Sequence, residues 1–478
     1  MLKKGFLKIM KKTEFISEKE VERQFEYIKN IKLKNEGKEK YAYINTYGCA
    51  QNETDSDKLY GMLLKMGYKK AESEKKADII LFNTCSVREN AELKIYGKVG
   101  ALKAVKKKFR DIIIGICGCL MQQEHASERI KKKYKHVDMV FGTHALHRFP
   151  ELLYNVLSEK GRVFDAEQAD GAIVEGLPVL MEKNYKAQIP IAFGCNNFCT
   201  YCVVPHTRGR ERSRRSEDIL NEINALVKKG LKEVMLLGQN VNSYGNDNDD
   251  DIDFSDLLQK IADIKEIKRI RFVTSHPKDL NDKLIDTIAR NDNICKYLHL
   301  PFQAGNTRVL KEMNRKYTRE DYLNLVSKIK EKIPDIALSA DVIVGFPGET
   351  TEEFYDTLSL IKEVRFDTLF TFIYSKRKDT KAALMDDPMS YDEKLKNFNI
   401  LLEEQNRISK EINDTYLGNI YEIIDEGLSK TNPDMRQGRT ETNKVVNYKN
   451  KTDIHEGDFV KVKITECMTW SLNAEEVD

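Results

Sequence analysis

Short apolar runs alternate with amphipathic segments along the first third of the chain. Segments with helical periodicity, for example residues 56–66 and 91–109, separate the apolar runs at residues 41–47, 78–83, 111–117 and 137–141. Because alternating strands and helices form a parallel sheet with helices on its faces, we predict a doubly wound α/β domain over residues 40–158. A lysine-rich helical extension at residues 1–39, expected to be a solvated arm, precedes this domain.

A second alternation follows a polar stretch near residues 161–186. Its predicted strands cover residues 187–193, 233–237, 269–273, 296–300, 336–344 and 368–374. Six strand–helix units are too few for a closed eight-fold barrel and too many for a simple doubly wound sheet. We therefore predict an open six-fold barrel over residues 181–415, with its chemistry where the strands end.

The chain changes character again from residue 421. Short β-rich runs, IYEIID, NKVVNY and DFVKVKIT, are separated by turn residues. This pattern predicts a small all-β barrel over residues 416–478, a fold that often binds nucleic acid. The acidic loop GNDNDDDID at residues 245–253 is expected to be a solvated insertion.

Composition and charge restrict the possible location and partners. A chain of 478 residues predicts two or three domains. No window reaches ~18 consecutive apolar residues, and the start lacks the apolar core of a signal peptide, so we expect a cytoplasmic protein without a membrane partner. Residues 1–40 carry 12 Lys and Arg against 7 Asp and Glu, while residues 421–478 carry 8 against 12. Any RNA affinity must therefore come from local patches.

Three closely spaced cysteines give the sharpest chemical signal. The stretch FGCNNFCTYCVVPHTRGRER places Cys195, Cys199 and Cys202 in one short loop, which can wrap a single metal centre. Zinc normally takes four ligands from paired elements, and a 4Fe-4S cluster usually takes four cysteines. Three cysteines would leave one iron open to a substrate. The alternatives are a small zinc site or a loop of buried cysteines.

The C-x3-C-x2-C spacing, with the aromatic Tyr201 before its last cysteine, resembles the signature of the radical S-adenosylmethionine (SAM) superfamily. The resemblance implies that SAM chelates the open iron and is cleaved to a 5′-deoxyadenosyl radical. Tyr201 and the polar residues after the predicted strands, Asn240, Ser275 and Gln303, are expected to bind SAM. Any one of these stretches alone would be an ordinary strand–helix turn.

A second set of three cysteines follows three predicted strands of the first domain. Cys49, Cys85 and Cys119 stand in the stretches YGCAQN, NTCSVR and CGCLMQ. Since the carboxyl ends of adjacent parallel strands meet in one crevice, these thiols could hold a second 4Fe-4S cluster. The alternative is three buried small side chains, which free cysteines often are. Cys117 lies within its predicted strand and is expected to belong to the core.

These three stretches resemble the methylthiotransferase family, and the resemblance extends from about residue 40 to residue 478. It implies a cluster domain, a radical SAM barrel and a C-terminal TRAM barrel that binds RNA. The six cysteines that match the family's pattern are Cys49, Cys85, Cys119, Cys195, Cys199 and Cys202. The implied cofactors are two 4Fe-4S clusters and SAM, which would serve as methyl donor and as radical source.

The substrate separates three branches of this family. The opening TYGCAQNETDSDKL resembles the branch that adds a methylthio group to C2 of N6-isopentenyladenosine at tRNA position 37. The other branches act on threonylcarbamoyl-adenosine in tRNA or on an aspartate of a ribosomal protein. An RNA-binding iron–sulfur electron carrier is the alternative of another class. One departure from the family pattern is Asp379, where glycine is expected.

Cationic side chains near the first cysteine loop and in the small barrel are the candidate RNA contacts. They are Arg208, Arg210, Arg212, Arg436, Arg439 and Lys444, although solvated surface charge is the simpler alternative. The expected partners are the anticodon stem-loop of a tRNA, an electron donor such as flavodoxin or ferredoxin, and a sulfur donor. We expect a monomer.

Overall fold

The computed structural model describes residues 13–86, 89–158, 161–166, 171–247, 252–430 and 432–477. Part of the acidic loop, residues 248–251, lies outside these ranges, as do residues 1–12 of the N-terminal extension. Within the described ranges, no helix combines the length and the apolarity needed to cross a bilayer.

The first domain is a parallel six-stranded sheet in the order β2-β1-β3-β4-β5-β6. Its strands are β1 Lys40–Thr46, β2 Tyr68–Lys70, β3 Ile79–Thr84, β4 Ile113–Gly118, β5 Met139–Phe141 and β6 Val163–Asp165. Helices α2 Ala50–Lys65, α3 Glu89–Lys108, α4 Glu124–Lys133 and α5 Phe149–Leu157 accompany it. Two separate apolar cores, one for each face, confirm the doubly wound prediction. The short strands β2 and β6 were not predicted, because three residues carry too little periodicity.

Helix α1, Glu18–Asn35, is not the solvated arm that its lysine content indicated. It packs against α5, and the side chains of Ile28 and Ile31 are 5% and 0% exposed within the first domain's core. The lysines occupy the opposite face, where their charge is solvated. The amino-acid composition of such an amphipathic helix reflects its polar face. Its apolar face is visible only in the periodic spacing of the hydrophobic residues.

The central domain contains six parallel strands in two half-sheets, β11-β10-β7 and β12-β13-β14. These strands are β7 Lys186–Pro190, β10 Glu233–Leu237, β11 Arg269–Val273, β12 Tyr297–His299, β13 Ala337–Val344 and β14 Thr368–Ile373. A single bridge between Ile270 and Ile294 links the halves, so that β7 and β14 remain edge strands in the described part of the chain. The open six-fold barrel is confirmed. The first predicted strand is split, because Ala192–Phe193 (β8) turns away to pair with Arg212–Ser213 (β9).

Helices cover the outer face of this barrel and leave a polar inner face. The helices on the outer face are α7 Ser216–Val227, α8 Phe254–Ala262, α9 Asp282–Arg290, α11 Arg319–Lys332, α12 Thr351–Val364 and α13 Tyr391–Asp414, while the short helices α6 Val204–Thr207 and α10 Thr307–Glu312 lie outside the core that these helices cover. Short 3₁₀ turns lie at Glu74–Lys76, Thr143–Arg148, Val241–Ser243, Pro277–Asp279 and Lys381–Leu384. Alternate strand residues such as Val234, Leu236 and Leu369 enter the helix-covered core. Their neighbours therefore face the lumen.

The C-terminal strands form a closed barrel in the order β15-β16-β17-β19-β18. They are β15 Ile420–Leu428, β16 Arg436–Arg439, β17 Val445–Lys449, β18 Phe459–Cys467 and β19 Leu472–Glu476. This barrel closes the amino-terminal end of the central one. Arg269 donates to the carbonyl oxygens of Arg439 and Glu422, and Arg271 donates to those of Thr440 and Glu441, at 2.7–2.9 Å. The open end of the central barrel is therefore the carboxyl end of its strands.

The docking of α1 predicts a difference between two neighbouring aliphatic residues. Ile31→Ala should lower the stability of the first domain by about 2–5 kcal/mol, because a buried side chain is replaced by a cavity. Leu33, which is 59% exposed, provides the matched control, and Leu33→Ala should change the stability by less than about 0.5 kcal/mol. Thermal unfolding midpoints measure both effects. Equal midpoints for the two variants would contradict the docked position of α1.

Candidate functional site

The three cysteines of the first domain follow adjacent strands at one edge of the sheet. Cys49 caps α2 after β1, Cys85 follows β3, and Cys119 follows β4. Burial raises the pKa of Cys119 to about 12; Arg208 opposes this rise, whereas Cys85 and Cys49 add to it. The three thiols therefore influence one another electrostatically across a single crevice.

Glycine makes the close approach of these loops possible. Gly48 has a φ of +152°, and a Cβ there would lie 2.9 Å from the Cβ of Cys85. Gly118 has a φ of +95°, and its Cβ would lie 2.5 Å from the carbonyl oxygen of Thr84. Only glycine fits both positions without displacing backbone or the neighbouring cysteine. The repeated Gly-Cys pair in the sequence was the available signal for these residues.

The second set of cysteines lies in the loop after β8. Burial raises the pKa of Cys195 to about 11 and that of Cys202 to about 12, and in both cases the neighbouring Cys199 adds to the rise. Sequence reasoning missed Arg315, which is buried, approaches the Sγ of Cys199 at 3.6 Å and donates to the carbonyl oxygen of Pro301 at 2.7 Å. A fixed guanidinium therefore stands beside the thiol loop, where it would offset the charge of thiolates.

The donor chemistry of both sets of cysteines fits a 4Fe-4S cluster, which cysteine thiolates ligate. A zinc site needs its ligands within about 2.3 Å of one atom, whereas a 4Fe-4S cluster spreads its cysteines around a larger body. The two sets of three thiols, on loops with an adjacent arginine, are consistent with that larger body.

The predicted SAM-binding residues lie together at the carboxyl ends of the barrel strands. Asn240 follows β10, Ser275 follows β11, and Gln303 follows β12, and each is at most 7% exposed. Gln303 has a φ of +68°, and its backbone is held by the backbone of β13. The ring of Tyr201 packs edge-on against Phe346 with a centroid distance of 6.5 Å, which supports the cysteine loop.

Buried polar atoms without hydrogen-bond partners surround these residues. Within the described structure they include the Oγ of Ser275, the Oδ1 of Asn240, the Nε2 of His276 and the Oε1 of Gln239. Burial lowers the pKa of His276 to about 2, so its imidazole is neutral at physiological pH. Each unsatisfied buried group costs about 1–3 kcal/mol. A polar ligand such as the amino-acid and nucleoside parts of SAM would supply the missing partners, so the residues fit this cofactor.

Comparison with known proteins agrees with this arrangement. The radical SAM superfamily model matches residues 189–361, the uncharacterized protein family UPF0004 matches residues 41–142, and the TRAM domain matches residues 414–477. A tRNA-2-methylthio-N6-dimethylallyladenosine synthase from Acetivibrio thermocellus is 51% identical over 473 residues, which cover 98% of each chain. The synthase from Alkaliphilus oremlandii is 50% identical over 462 residues, covering 97% of this chain and 98% of that protein. The chain belongs to this synthase family.

A solved structure supports the fold of this synthase family member. The radical SAM methyltransferase TsrM from Kitasatospora setae superposes with a TM-score of 0.52 at 14% sequence identity, covering 72% of this chain and 74% of that one. At this identity the likeness concerns the fold alone. The predicted family, the mixed α/β fold with its small β-barrel, and the assignment as a transferase are confirmed.

Two of the three arginines predicted to contact RNA beside the SAM loop are buried. Arg208 is 6% exposed, and its Nη2 donates to the Oδ2 of Asp55 at 2.8 Å. Arg212 is 7% exposed and donates to the carbonyl oxygens of Arg210 and Arg208. The RNA prediction is therefore wrong for Arg208 and Arg212, because their donors serve contacts within the protein. Arg210 is exposed and remains a candidate.

The three cations predicted to bind RNA in the small barrel are likewise engaged within the protein. Arg436 pairs with Asp425 through two hydrogen bonds of 2.9 and 2.5 Å, and Arg439 pairs with Glu426 at 3.2 Å. The Nζ of Lys444 lies 2.8 Å from the Oδ1 of Asp367 in the central domain. Each of them neutralises a carboxylate that is at most 15% exposed, and their contact with RNA stays a prediction.

Asp379, at the position where the family pattern has glycine, adopts a φ of +68°. Aspartate tolerates this left-handed backbone better than most residues because its short side chain interferes least. The backbone therefore keeps the conformation that glycine would favour.

The ion pair between Arg208 and Asp55 connects the segment after Cys202 with helix α2. It predicts that a substitution of Arg208 destabilises the protein, whereas the same substitution of the nearby Arg210 does not. Arg208→Met should lower stability by about 3–5 kcal/mol, because it leaves Asp55 buried without its counterion. Arg210→Met, two residues away and exposed, is the matched control and should have little effect. The double variant Arg208→Met/Asp55→Asn should recover part of the loss. Anaerobic thermal unfolding measures these changes, and identical midpoints for Arg208→Met and Arg210→Met would contradict the coupling.

Proposed function

We propose that this chain adds a methylthio group to C2 of N6-isopentenyladenosine at position 37 of tRNA. The observation that carries the proposal is the buried ion pair of Arg208 and Asp55, which connects the segment after Cys202 with the helix that Cys49 caps. The relatives named tRNA-2-methylthio-N6-dimethylallyladenosine synthase, matched along nearly their whole length, support this substrate. No relative among those matches favours threonylcarbamoyl-adenosine, a ribosomal protein or an electron carrier.

Each set of three cysteines is proposed to hold one 4Fe-4S cluster. Cys49, Cys85 and Cys119 would ligate the cluster that carries sulfur, while Cys195, Cys199 and Cys202 would ligate the cluster that binds SAM. When bound, the clusters would supply electron transfer, and SAM would supply the methyl group and the radical that abstracts a hydrogen atom from the substrate. The chain itself contributes the fixed cations beside the thiol loops.

Arg208 and Arg315 are those cations. Both are buried, and each stands next to one set of cysteines. A buried positive charge stabilises neighbouring thiolates and the anionic cluster that they hold. Neutral His276, together with Ser275 and Asn240, would orient SAM by hydrogen bonds rather than by charge.

The functional units would be the first domain at residues 40–158 with its docked helix α1, the SAM barrel at residues 181–415, and the TRAM barrel at residues 416–478. The substrate is the anticodon stem-loop of tRNA, whose loop base can leave its stack at low cost. Exposed Arg210, which lies 4.5 Å from the ring centroid of Phe198, is proposed to contact its phosphates. A flavodoxin or ferredoxin would supply electrons to a cytoplasmic monomer, and a separate donor would supply sulfur.

The ligand assignment predicts the iron content of cysteine variants. Replacing Cys195, Cys199 and Cys202 with alanine should remove about half of the iron and acid-labile sulfide, because one cluster of two is lost. Replacing Cys49, Cys85 and Cys119 should remove the other half. Cys467→Ala, at a partly exposed cysteine in β18, is the control and should keep both clusters. Full iron content in either triple variant would contradict the assignment.

The substrate assignment is tested by nucleoside analysis. A strain lacking this gene should accumulate N6-isopentenyladenosine in its tRNA and lose the 2-methylthio derivative, as measured by mass spectrometry. Expression of the wild-type chain should restore the derivative. Unchanged tRNA nucleosides, together with loss of a methylthio mass from a ribosomal protein, would assign the chain to the protein-modifying branch instead.

A further inference from the structure

Two phenylalanines on the edge strand β14 are exposed although they lie on the luminal face of the central barrel. Phe370 is 47% and Phe372 is 36% exposed, whereas Leu369 on the opposite face is 6% exposed and packs beneath the helices. Exposing large aromatic side chains inside a barrel is costly unless a ligand covers them. Their position is therefore informative about what enters the lumen.

The strand register places three polar residues, Asp341, Ser339 and His299, on the same luminal face. Asp341 of β13 is directly paired with Phe370, and Ser339 is paired with His299 of β12. The ring of His299 stands edge-on to Phe370 with a centroid distance of 5.7 Å, and its Nε2 lies 3.7 Å from the Oδ2 of Asp341. The side chain of Ser339 fixes the histidine through a 2.9 Å hydrogen bond to Nδ1. We refer to Phe370, Phe372, His299 and Asp341 as the luminal aromatic patch.

The luminal aromatic patch is next to the candidate SAM site. The backbone N–H of Gln303 donates to the carbonyl oxygen of Asp341 at 3.0 Å, and the N–H of Ile343 donates to the carbonyl oxygen of Gln303 at 2.9 Å. A base on the patch would therefore lie beside the residues expected to hold SAM. The patch is also accessible from the side, because β14 is the last strand of its half-sheet.

We propose that the luminal aromatic patch binds the N6-isopentenylated adenine and distinguishes it from adenines with anionic N6 groups. This inference rests on the proposed function and names the residues that select its substrate. The phenylalanine rings offer an apolar surface for the base and for the isopentenyl chain. The carboxylate of Asp341 can accept the N6–H, which is the single hydrogen-bond donor on this base. The same carboxylate would repel the negatively charged threonylcarbamoyl group.

The aromatic part of the patch is tested by binding to the cluster-loaded protein. Synthetic anticodon stem-loops with adenosine or N6-isopentenyladenosine at position 37 provide the probes, and fluorescence anisotropy gives the dissociation constants. The wild type should prefer the isopentenylated RNA. Phe370→Ala and Phe372→Ala should each reduce this preference by about tenfold, because they remove apolar contact with the isopentenyl chain, which unmodified adenosine lacks.

Two further variants separate recognition from folding. Phe370→Leu keeps an apolar contact with the isopentenyl chain and should retain most of the preference. Phe109→Ala removes a phenylalanine that is 54% exposed in the first domain, and it should leave the preference unchanged. A wild-type preference that persists undiminished in both Phe370→Ala and Phe372→Ala would overturn the proposal.

The carboxylate part is tested with a third RNA, which carries threonylcarbamoyl-adenosine at position 37. Asp341→Asn removes the negative charge at constant size, and it should raise the affinity for this RNA by about tenfold relative to the isopentenylated one. An unchanged ratio would overturn the role of Asp341. Methylthio product from wild-type protein, measured in parallel, separates the two hypotheses: its absence refutes the proposed function, whereas its presence with unaltered selectivity in the variants refutes the patch alone.

Discussion

One buried ion pair connects the first domain with the central domain. Arg208 belongs to the segment that follows Cys195, Cys199 and Cys202, and Asp55 belongs to helix α2, which Cys49 caps. Because both side chains are at most 9% exposed, neither can exchange its partner for water at low cost. The pair therefore holds the helix that Cys49 caps against the segment that follows Cys202.

A second constraint keeps the reaction at one end of the central barrel. Arg269 and Arg271 bind backbone carbonyl groups of the small C-terminal barrel, which therefore closes the lower end of the lumen. Buried Glu233 accompanies them, with its Oε2 lying 3.3 Å from the Nε of Arg271. These charges hold the small barrel against the amino-terminal end of the strands. The polar atoms without hydrogen-bond partners and the exposed phenylalanines belong to the opposite, open end of the lumen. Domain docking and the candidate ligand site thus occupy opposite ends of the same strands.

The unpartnered polar atoms at the open end of the central barrel lower the stability of the folded chain, and the apolar core on the other face of the strands offsets this cost. These atoms include polar groups on Ser275, Asn240 and His276, while β10 and β13 contribute apolar side chains such as Val234, Leu236 and Val342 to the helix-covered core. A ligand that binds these groups would stabilise the folded chain by mass action. Pre-arranged but unsatisfied groups of this kind are expected where a protein binds a polar cofactor.

The sequence by itself determined the order of the elements, the three-part architecture and the six cysteines, because periodicity and close spacing are local properties. It could not show where charges lie once distant segments meet. Arg208 was read as an RNA contact and is buried against Asp55, and Lys444 was read likewise and neutralises Asp367. The lysines of α1 concealed the buried Ile31, and nothing in the sequence indicated that Phe370 would face Asp341 and His299. Only tertiary structure decides such pairings, since ion pairs and luminal contacts depend on distances between residues that are remote along the chain.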